Sequence, residues 1–311
     1  MRKVLAAVSL VACTLLAAYS VAGAPTAGPS AAPRFTPVPP TSASAFETEA
    51  DRAALSSRDR IRPPVGKWDA VPVAAGEAAA LLEQLVMAER AVRDPIVTGR
   101  ELAFMGHLQQ LVYVRLIERA DLRDAVFSAI PHDLRAAADL NIAAGANLYL
   151  FGPVGVTELP EWRIVSAPPI SDLLTYYREA EAEFGVPWYY LAAINLIETR
   201  MGRIRGDSYA GAQGPMQFMP GTWAAYGQGD VNDARDAILA AGRYLRATGA
   251  PANIEAAIWM YNHDDEYVDA VMKYAAVMRA NPSAFRGYYG WQVYFVTANG
   301  TFLLPEGWSK R

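Results

Sequence analysis

Glu198 closes an almost wholly apolar run, Trp188-Tyr-Tyr-Leu-Ala-Ala-Ile-Asn-Leu-Ile197, and Thr199-Arg-Met-Gly202 follows at once. Helical spacing of three and four puts Leu191, Ile194, Asn195 and Glu198 on one face. Tyr190, Ala193 and Ile197 lie on another. Burial and the negative end of the helix dipole both disfavour a charged carboxylate at this position. Both raise its pKa toward neutrality, which suits a general acid at physiological pH. The competing reading is a simple ion pair with Arg200, Arg203 or Arg205.

Three segments downstream bear on that choice. Ala210–Trp223 is a glycine- and proline-rich loop around Met216 and Gln217. Such a main chain lets a polymer pass close to it. Met260-Tyr261-Asn262 ends another apolar helical stretch, and His263-Asp-Asp-Glu-Tyr-Val268 opens the next helix.

Taken in order, these motifs resemble the catalytic domain of bacterial lytic transglycosylases. The matching residues are Glu198-Thr199 with Gly202, Gly214-Pro-Met-Gln-Phe-Met-Pro220 and Tyr261-Asn262. The resemblance covers about residues 170–279 and is closest to the membrane-bound B-type branch. Two departures bear on subfamily: the widespread branch has Glu-Ser and Gly-Leu-Met-Gln, where this chain has Glu198-Thr199 and Gly214-Pro215-Met216-Gln217.

The resemblance implies a lysozyme-like α-helical domain that cuts the β-1,4 bond between N-acetylmuramic acid and N-acetylglucosamine. In that chemistry one glutamic acid protonates the leaving oxygen and then takes a proton from the sugar's own C6 hydroxyl. A 1,6-anhydro end results, and the paired carboxylates of ordinary glycosidases are not required. The resemblance also implies that Met216, Gln217, Phe218, Tyr261 and Asn262 bind substrate. Tyr261 would hold the catalytic carboxyl, Gln217 would take an N-acetyl group, and Met216 and Phe218 would form apolar wall. For Met216 and Tyr261, simple core packing is the competing reading. The implied partner is the peptidoglycan glycan strand. The alternatives are a hydrolytic muramidase on the same fold and a non-catalytic wall-binding protein.

Other acids near the motifs read differently. Asp207 suits a loop hydrogen bond, though it could activate water in a hydrolase. Asp230-Val-Asn232 hints at a calcium loop, but Arg235 stands where glycine is needed and Ala241 where a bidentate acid is needed. No metal and no cofactor are therefore expected, and Asn232 or Asp233 is expected to cap the next helix. His107 and His132 are isolated and read as packed or surface residues, and His263 as a cap. Core packing is expected for Trp188, Tyr189, Tyr209, Trp223 and Trp259, with sugar stacking as the alternative for each.

Helices must position these groups, and β-branched alternation is scarce, so the fold class is mainly α. A lysozyme-like catalytic domain at 170–280 is expected, preceded by a small helical domain at 66–151. In the latter, helices are expected from about Ala74 to Asp94-Pro95, from a Thr98–Glu101 capping box onward, and at about 122–129 and 134–149. An extended stretch is expected at Trp162–Val165. Ser171-Asp172 should cap a helix ending at Gly185, and Pro187 should open the Glu198 helix. Later helices are expected at about 221–226, 234–248, 253–261 and 266–280. The extension 281–311 carries the aromatic cluster Tyr288–Phe295, read as either a short hairpin or a packed flap.

The 311 residues carry a net charge of −4 and no basic stripe, which argues against nucleic acid binding. Arg2-Lys3 and the uncharged stretch to Ala24 read as a signal peptide or membrane anchor over 1–24. Cleavage and export are favoured over an anchor, which would tether the protein to the membrane. Cys13, the only cysteine, lies inside that stretch and reads as a small apolar residue rather than a lipidation site. Residues 25–65, rich in Pro, Ala and Ser, are expected to be a disordered linker. The expected setting is the extracytoplasmic envelope or the medium, and the expected state is a monomer.

Overall fold

The computed structural model describes residues 68–149 and 156–310. The expected targeting segment 1–24 and linker 25–65 lie outside the described residues. Helix α1 (Ala78–Arg93) turns Leu81, Leu85, Ala88 and Val92 fully inward. It ends at Asp94, whose N–H bonds the Arg90 and Ala91 carbonyls. Helix α2 (Gly99–Glu118) follows with Thr98 at its N-cap position, but the Thr98 side chain makes no cap bond. The expected capping box is thus not formed. Helices α3 (Ala120–Ala129) and α4 (His132–Tyr149) complete this stretch.

Strand β1 (Arg163–Ile164) falls in the expected extended segment. Helix α5 (Ile170–Phe184) starts one residue ahead of Ser171, with Pro169 at the N-cap, so Ser171-Asp172 lies inside the first turn rather than capping it. Gly185 ends α5 with φ 70°, a left-handed conformation that suits glycine at a helix stop. Pro187 then precedes α6 (Trp188–Thr199). Strand β2 (Ile204–Arg205) pairs antiparallel with β1. Helices α7 (Pro220–Tyr226), α8 (Ala234–Ala247), α9 (Ile254–Tyr261) and α10 (Asp265–Ala280) start and end within a residue of the expected limits. The C-terminal stretch answers the open question with both a helix and a hairpin: α11 (Ala284–Tyr289), then β3 (Val293–Thr297) paired with β4 (Gly300–Leu304).

One hydrophobic cluster runs from Leu81 in α1 to Trp291 after α11. It takes in α1–α4 and α5–α11 alike, and α10 packs along both α4 and α6. The stretch expected to be an accessory domain therefore shares its core with the Glu198 helix. The reason is visible at one crossing. Gly106 of α2 meets Gly287 and Gly290 so closely that a Cβ would sit 2.6 Å from the Gly287 carbonyl oxygen. Only backbone fits there, so α2 and α11 touch directly. A second, small cluster joins Trp162, Ile164 and Ile204 to Val293, Phe295 and Leu304.

The α2 side of the core also buries charge. Glu89 has no exposed surface and accepts from Gln109 Nε2 at 2.8 Å, from the Tyr113 hydroxyl and from Arg93 one turn on. A buried carboxylate is tolerated when it is paired and hydrogen-bonded in this way. Among the described residues no helix is long and apolar enough to cross a membrane.

Candidate active site

Helix α6 is buried on every side, and only Tyr189 reaches partial exposure within it. A helix apolar all round belongs in an interior. Each fully buried Leu or Ile contributes on the order of 1.5–3 kcal/mol, so the helix is firmly fixed. The chain leaves it abruptly. Arg200 and Met201 have φ of 53° and 62°, and Gly202 follows at 80°. The Arg200 and Met201 N–H groups close the last turn onto Leu196 and Asn195. Left-handed conformations at two non-glycine residues cost about 1–2 kcal/mol each. They persist where the surrounding structure over-determines them, often at functional sites.

Glu198 sits just inside this exit and is 6% exposed. None of the ion pairs among the described residues includes it. Arg200, the first candidate partner, instead donates Nη1–H to the Leu196 carbonyl at 2.6 Å. Arg203 donates to the Arg200 carbonyl, and Arg205 to the Asn232 carbonyl. The polar partner of Glu198 is Tyr267, whose hydroxyl donates to Oε1 at 2.6 Å. Burial pushes the Glu198 carboxyl up to about 8, and the Tyr267 hydrogen bond pulls weakly the other way. The shift favours the protonated form of the carboxyl near neutral pH.

The sequence assigns nothing to Tyr267, and the family resemblance gives the carboxyl to Tyr261. The structure exchanges them. Tyr267 lies in the first turn of α10, where Asp264 caps the helix by accepting from the Tyr267 N–H at 2.9 Å. Tyr261, at the end of α9, donates its hydroxyl to the Met216 carbonyl at 2.6 Å. It remains close enough to Glu198 for the carboxylate, after burial, to help raise its pKa. The signal for Tyr267 was present: a cap acid at Asp264 followed three residues later by a large ring that packs inward.

The glycine-proline loop is tied to the Glu198 helix by the residues that flank Glu198. Thr199 Oγ1 donates to the Pro215 carbonyl at 2.5 Å, and Asn195 Nδ2 donates to the same oxygen at 2.7 Å. Asn195 is itself held by the Tyr177 hydroxyl at 2.7 Å, and Thr199 Oγ1 accepts from the Gly202 N–H. The loop closes through paired backbone bonds between Gln213 and Phe218. Gly214 has φ 73°, and a Cβ there would lie 1.9 Å from the Val231 carbonyl oxygen.

The residues expected to bind substrate divide. The Met216 and Phe218 side chains are buried, and Phe218 packs edge-on against Trp223 and Tyr261. They brace the loop from below. Gln217 is half-buried with φ 50°, and its Nε2 folds back onto the Gly214 carbonyl at 2.9 Å. Asn262 is buried just past α9, and none of the hydrogen bonds among the described residues uses its side-chain amide. Gln217 Oε1 and the Asn262 amide are thus the groups still able to take a ligand.

Neither a protein-family model, nor a curated protein, nor a solved structure matches the chain. The site is therefore read from its own geometry.

The neighbouring acids are engaged elsewhere. Asp207 is exposed and accepts weakly from Gln213 at 3.4 Å. Asp230 Oδ1 accepts from the Asn232 N–H, and Asp233, not Asn232, caps α8. Among the described residues no group of three His, Cys, Asp or Glu side chains could hold a metal ion. Trp188 is core as expected, whereas Tyr209 and Trp259 are exposed. Trp259 stacks edge-on with exposed His263, 4.4 Å between ring centres. His107 is packed, bonded to the Tyr294 hydroxyl at 2.7 Å, and its burial lowers its pKa to about 4. His132 is exposed.

Proposed function

We propose that this protein is an exported peptidoglycan lytic transglycosylase whose catalytic segment, 170–280, is of the lysozyme-like kind. One observation carries the reading: Glu198 is a buried carboxyl with a single tyrosine partner and no ion pair among the described residues, its pKa raised by burial to about 8, and it is tied through its neighbours to a glycine-proline loop. A protonated carboxyl near pH 7 is a competent general acid. It donates its proton to the oxygen leaving C1 of N-acetylmuramic acid as that bond breaks. The carboxylate so formed is steadied by the Tyr267 hydroxyl. It then accepts the C6 hydroxyl proton as that oxygen bonds to C1, which restores the acid and leaves a 1,6-anhydro end.

This route suits a site with one carboxyl. A hydrolase of the ordinary two-carboxylate kind would need a second one placed to activate water. Asp230, Asp233 and Asp264 are committed to loop and cap hydrogen bonds, and Asp207 lies exposed with one weak bond to Gln213. The tight loop at 213–218 gives a glycan a backbone edge to lie against, with Gln217 and Asn262 as its polar contacts.

Purified peptidoglycan digested with the protein and analysed by mass spectrometry tests the proposal. Anhydro-muramic ends are expected. Reducing muramic ends without any anhydro form would assign hydrolysis instead. Equal clearance by wild type and Glu198→Gln, or clearance by neither, would remove the assignment of Glu198.

A further inference from the structure

Arg200 is a second costly residue, and the reading of Glu198 leaves it unexplained. It is 5% exposed and has no carboxylate within ion-pair distance among the described residues. Among the described residues its guanidinium donates once, to the Leu196 carbonyl, and it lies 5.9 Å from the Trp291 ring centre. Taking a charge out of water costs several kcal/mol after relaxation. A cation–π contact returns about 0.5–2 kcal/mol, and arginine cannot escape by losing its proton. Burial correspondingly lowers its pKa to about 10.

Arg200 lines a cavity of about 100 Å³ whose other walls come from α2, α4, α10, Trp291 and the C-terminal hairpin. Neither Glu198 nor any residue of the loop 213–218 lines it. Two further donor-bearing residues line the same space. Asn141 Nδ2 is buried and makes no hydrogen bond of good geometry among the described residues, although the Asn141 side chain sits close enough to the Tyr113 hydroxyl to oppose the rise that burial gives that tyrosine's pKa, and its Oδ1 accepts from Tyr288. The Tyr274 hydroxyl, also on the cavity wall, makes no hydrogen bond with a described residue. A buried donor such as Asn141 Nδ2 is normally satisfied, and an orphan needs a reason. The rest of the wall is largely apolar, with Val114, Ile117 and Trp291 prominent.

We propose that this cavity is a binding site for a small monocarboxylate with a compact branched or short apolar body. Its carboxylate meets Arg200, Asn141 and Tyr274, and its hydrocarbon part lies against Val114, Ile117 and Trp291. The size follows from the volume. An apolar cavity of roughly 150 Å³ holds benzene, so one somewhat smaller suits four or five carbons. The single charge follows from the single guanidinium. Inorganic phosphate has no apolar body and more charge than Arg200 can balance. The inference is independent of the reading of Glu198. Because Arg200 follows α6 directly, occupancy also braces the exit of the helix that carries Glu198.

Isothermal titration of the full-length protein with isovalerate at pH 7 tests this, with isovaleramide as the neutral isostere. Saturable binding of isovalerate is expected, with the amide at least about tenfold weaker, the usual cost of losing a charge-assisted bond. Arg200→Gln should weaken isovalerate binding by about tenfold or more. Val114→Phe, which adds bulk to the cavity wall and leaves Arg200, Asn141 and Tyr274 in the sequence, should do the same by exclusion. No saturable heat up to about 10 mM isovalerate would overturn the proposal, as would equal binding of acid and amide. So would unchanged binding in a folded Arg200→Gln protein. If that variant fails to fold, Val114→Phe decides: undiminished binding there overturns the site.

Discussion

The hydroxyl of Tyr267 donates to Glu198 Oε1 at 2.6 Å, across 69 residues of sequence, and is the one hydrogen-bonding partner of that carboxyl among the described residues. It acts on a group whose pKa burial has already raised. The bond favours the charged form, so it holds the pKa below what burial alone would produce.

Tyr267→Phe should therefore raise the Glu198 pKa above about 8. The alkaline limb of wall cleavage should move to higher pH. The maximal rate should fall by about ten- to a hundredfold, because the carboxylate formed after proton transfer loses its donor. A pH–rate profile on purified peptidoglycan reads both. An alkaline limb that stays in place or moves down would contradict the assigned bond.

Glu198→Gln should lower cleavage by about two to four orders of magnitude while leaving the fold intact. It should also change stability in a defined pH window. The folded pKa lies above the unfolded value of 4.5, so between pH 4.5 and about 8 the folded state binds more protons. Wild-type stability should decline as pH rises through that window, by up to roughly 1.4 kcal/mol per pH unit. The glutamine variant should lose this component. Urea melts at pH 5, 7 and 8.5 compare the two slopes directly.

Thr199→Val removes the donor to the Pro215 carbonyl and the acceptor of the Gly202 N–H. A loss of about 1–3 kcal/mol is expected, with a parallel fall in cleavage as the loop loosens. Thr199→Ser keeps both bonds and should cost about 1 kcal/mol or less. Urea midpoints that rank the two variants the other way would exclude the clamp.

Gly214→Ala and Gly211→Ala separate conformation from close approach. Both glycines have positive φ, 73° and 83°, but only at Gly214 would a Cβ strike the Val231 carbonyl, and nothing lies within 4 Å at Gly211. Gly211→Ala should cost about 1–2 kcal/mol. Gly214→Ala should cost more, at least about 2 kcal/mol, and should slow cleavage. Equal melting shifts would show that packing at Val231 adds nothing.

Much of the architecture was legible in the chain. The limits of α7–α10 lie within a residue of those expected, because helix-boundary signals act within one turn, although Asp264 rather than His263 caps α10. Where a local pattern has two solutions it misled. Thr98 has the types of a capping box, yet its side chain makes no cap bond. Ser171 likewise lies inside the helix that it was expected to cap. The block 66–151 gave no local sign that it shares its core with α6 and α10, because Gly106 meets Gly287 and Gly290 only once the whole chain has folded.

The sequence by itself determined that a carboxylate closes a buried helix and that a glycine-proline loop follows it. Apolar periodicity and backbone-special residues are local properties, and they place Glu198 without any knowledge of its neighbours. Only the tertiary structure decided that the three arginines leave Glu198 unpaired and that Tyr267 rather than Tyr261 holds it. It alone decided that Thr199 and Asn195 fasten the loop, and that Arg200 faces a cavity. Each of these depends on how α10, α9 and the loop dock on α6. Docking is set by shape and burial summed over the whole core, and the spacing of residues along one segment does not encode it.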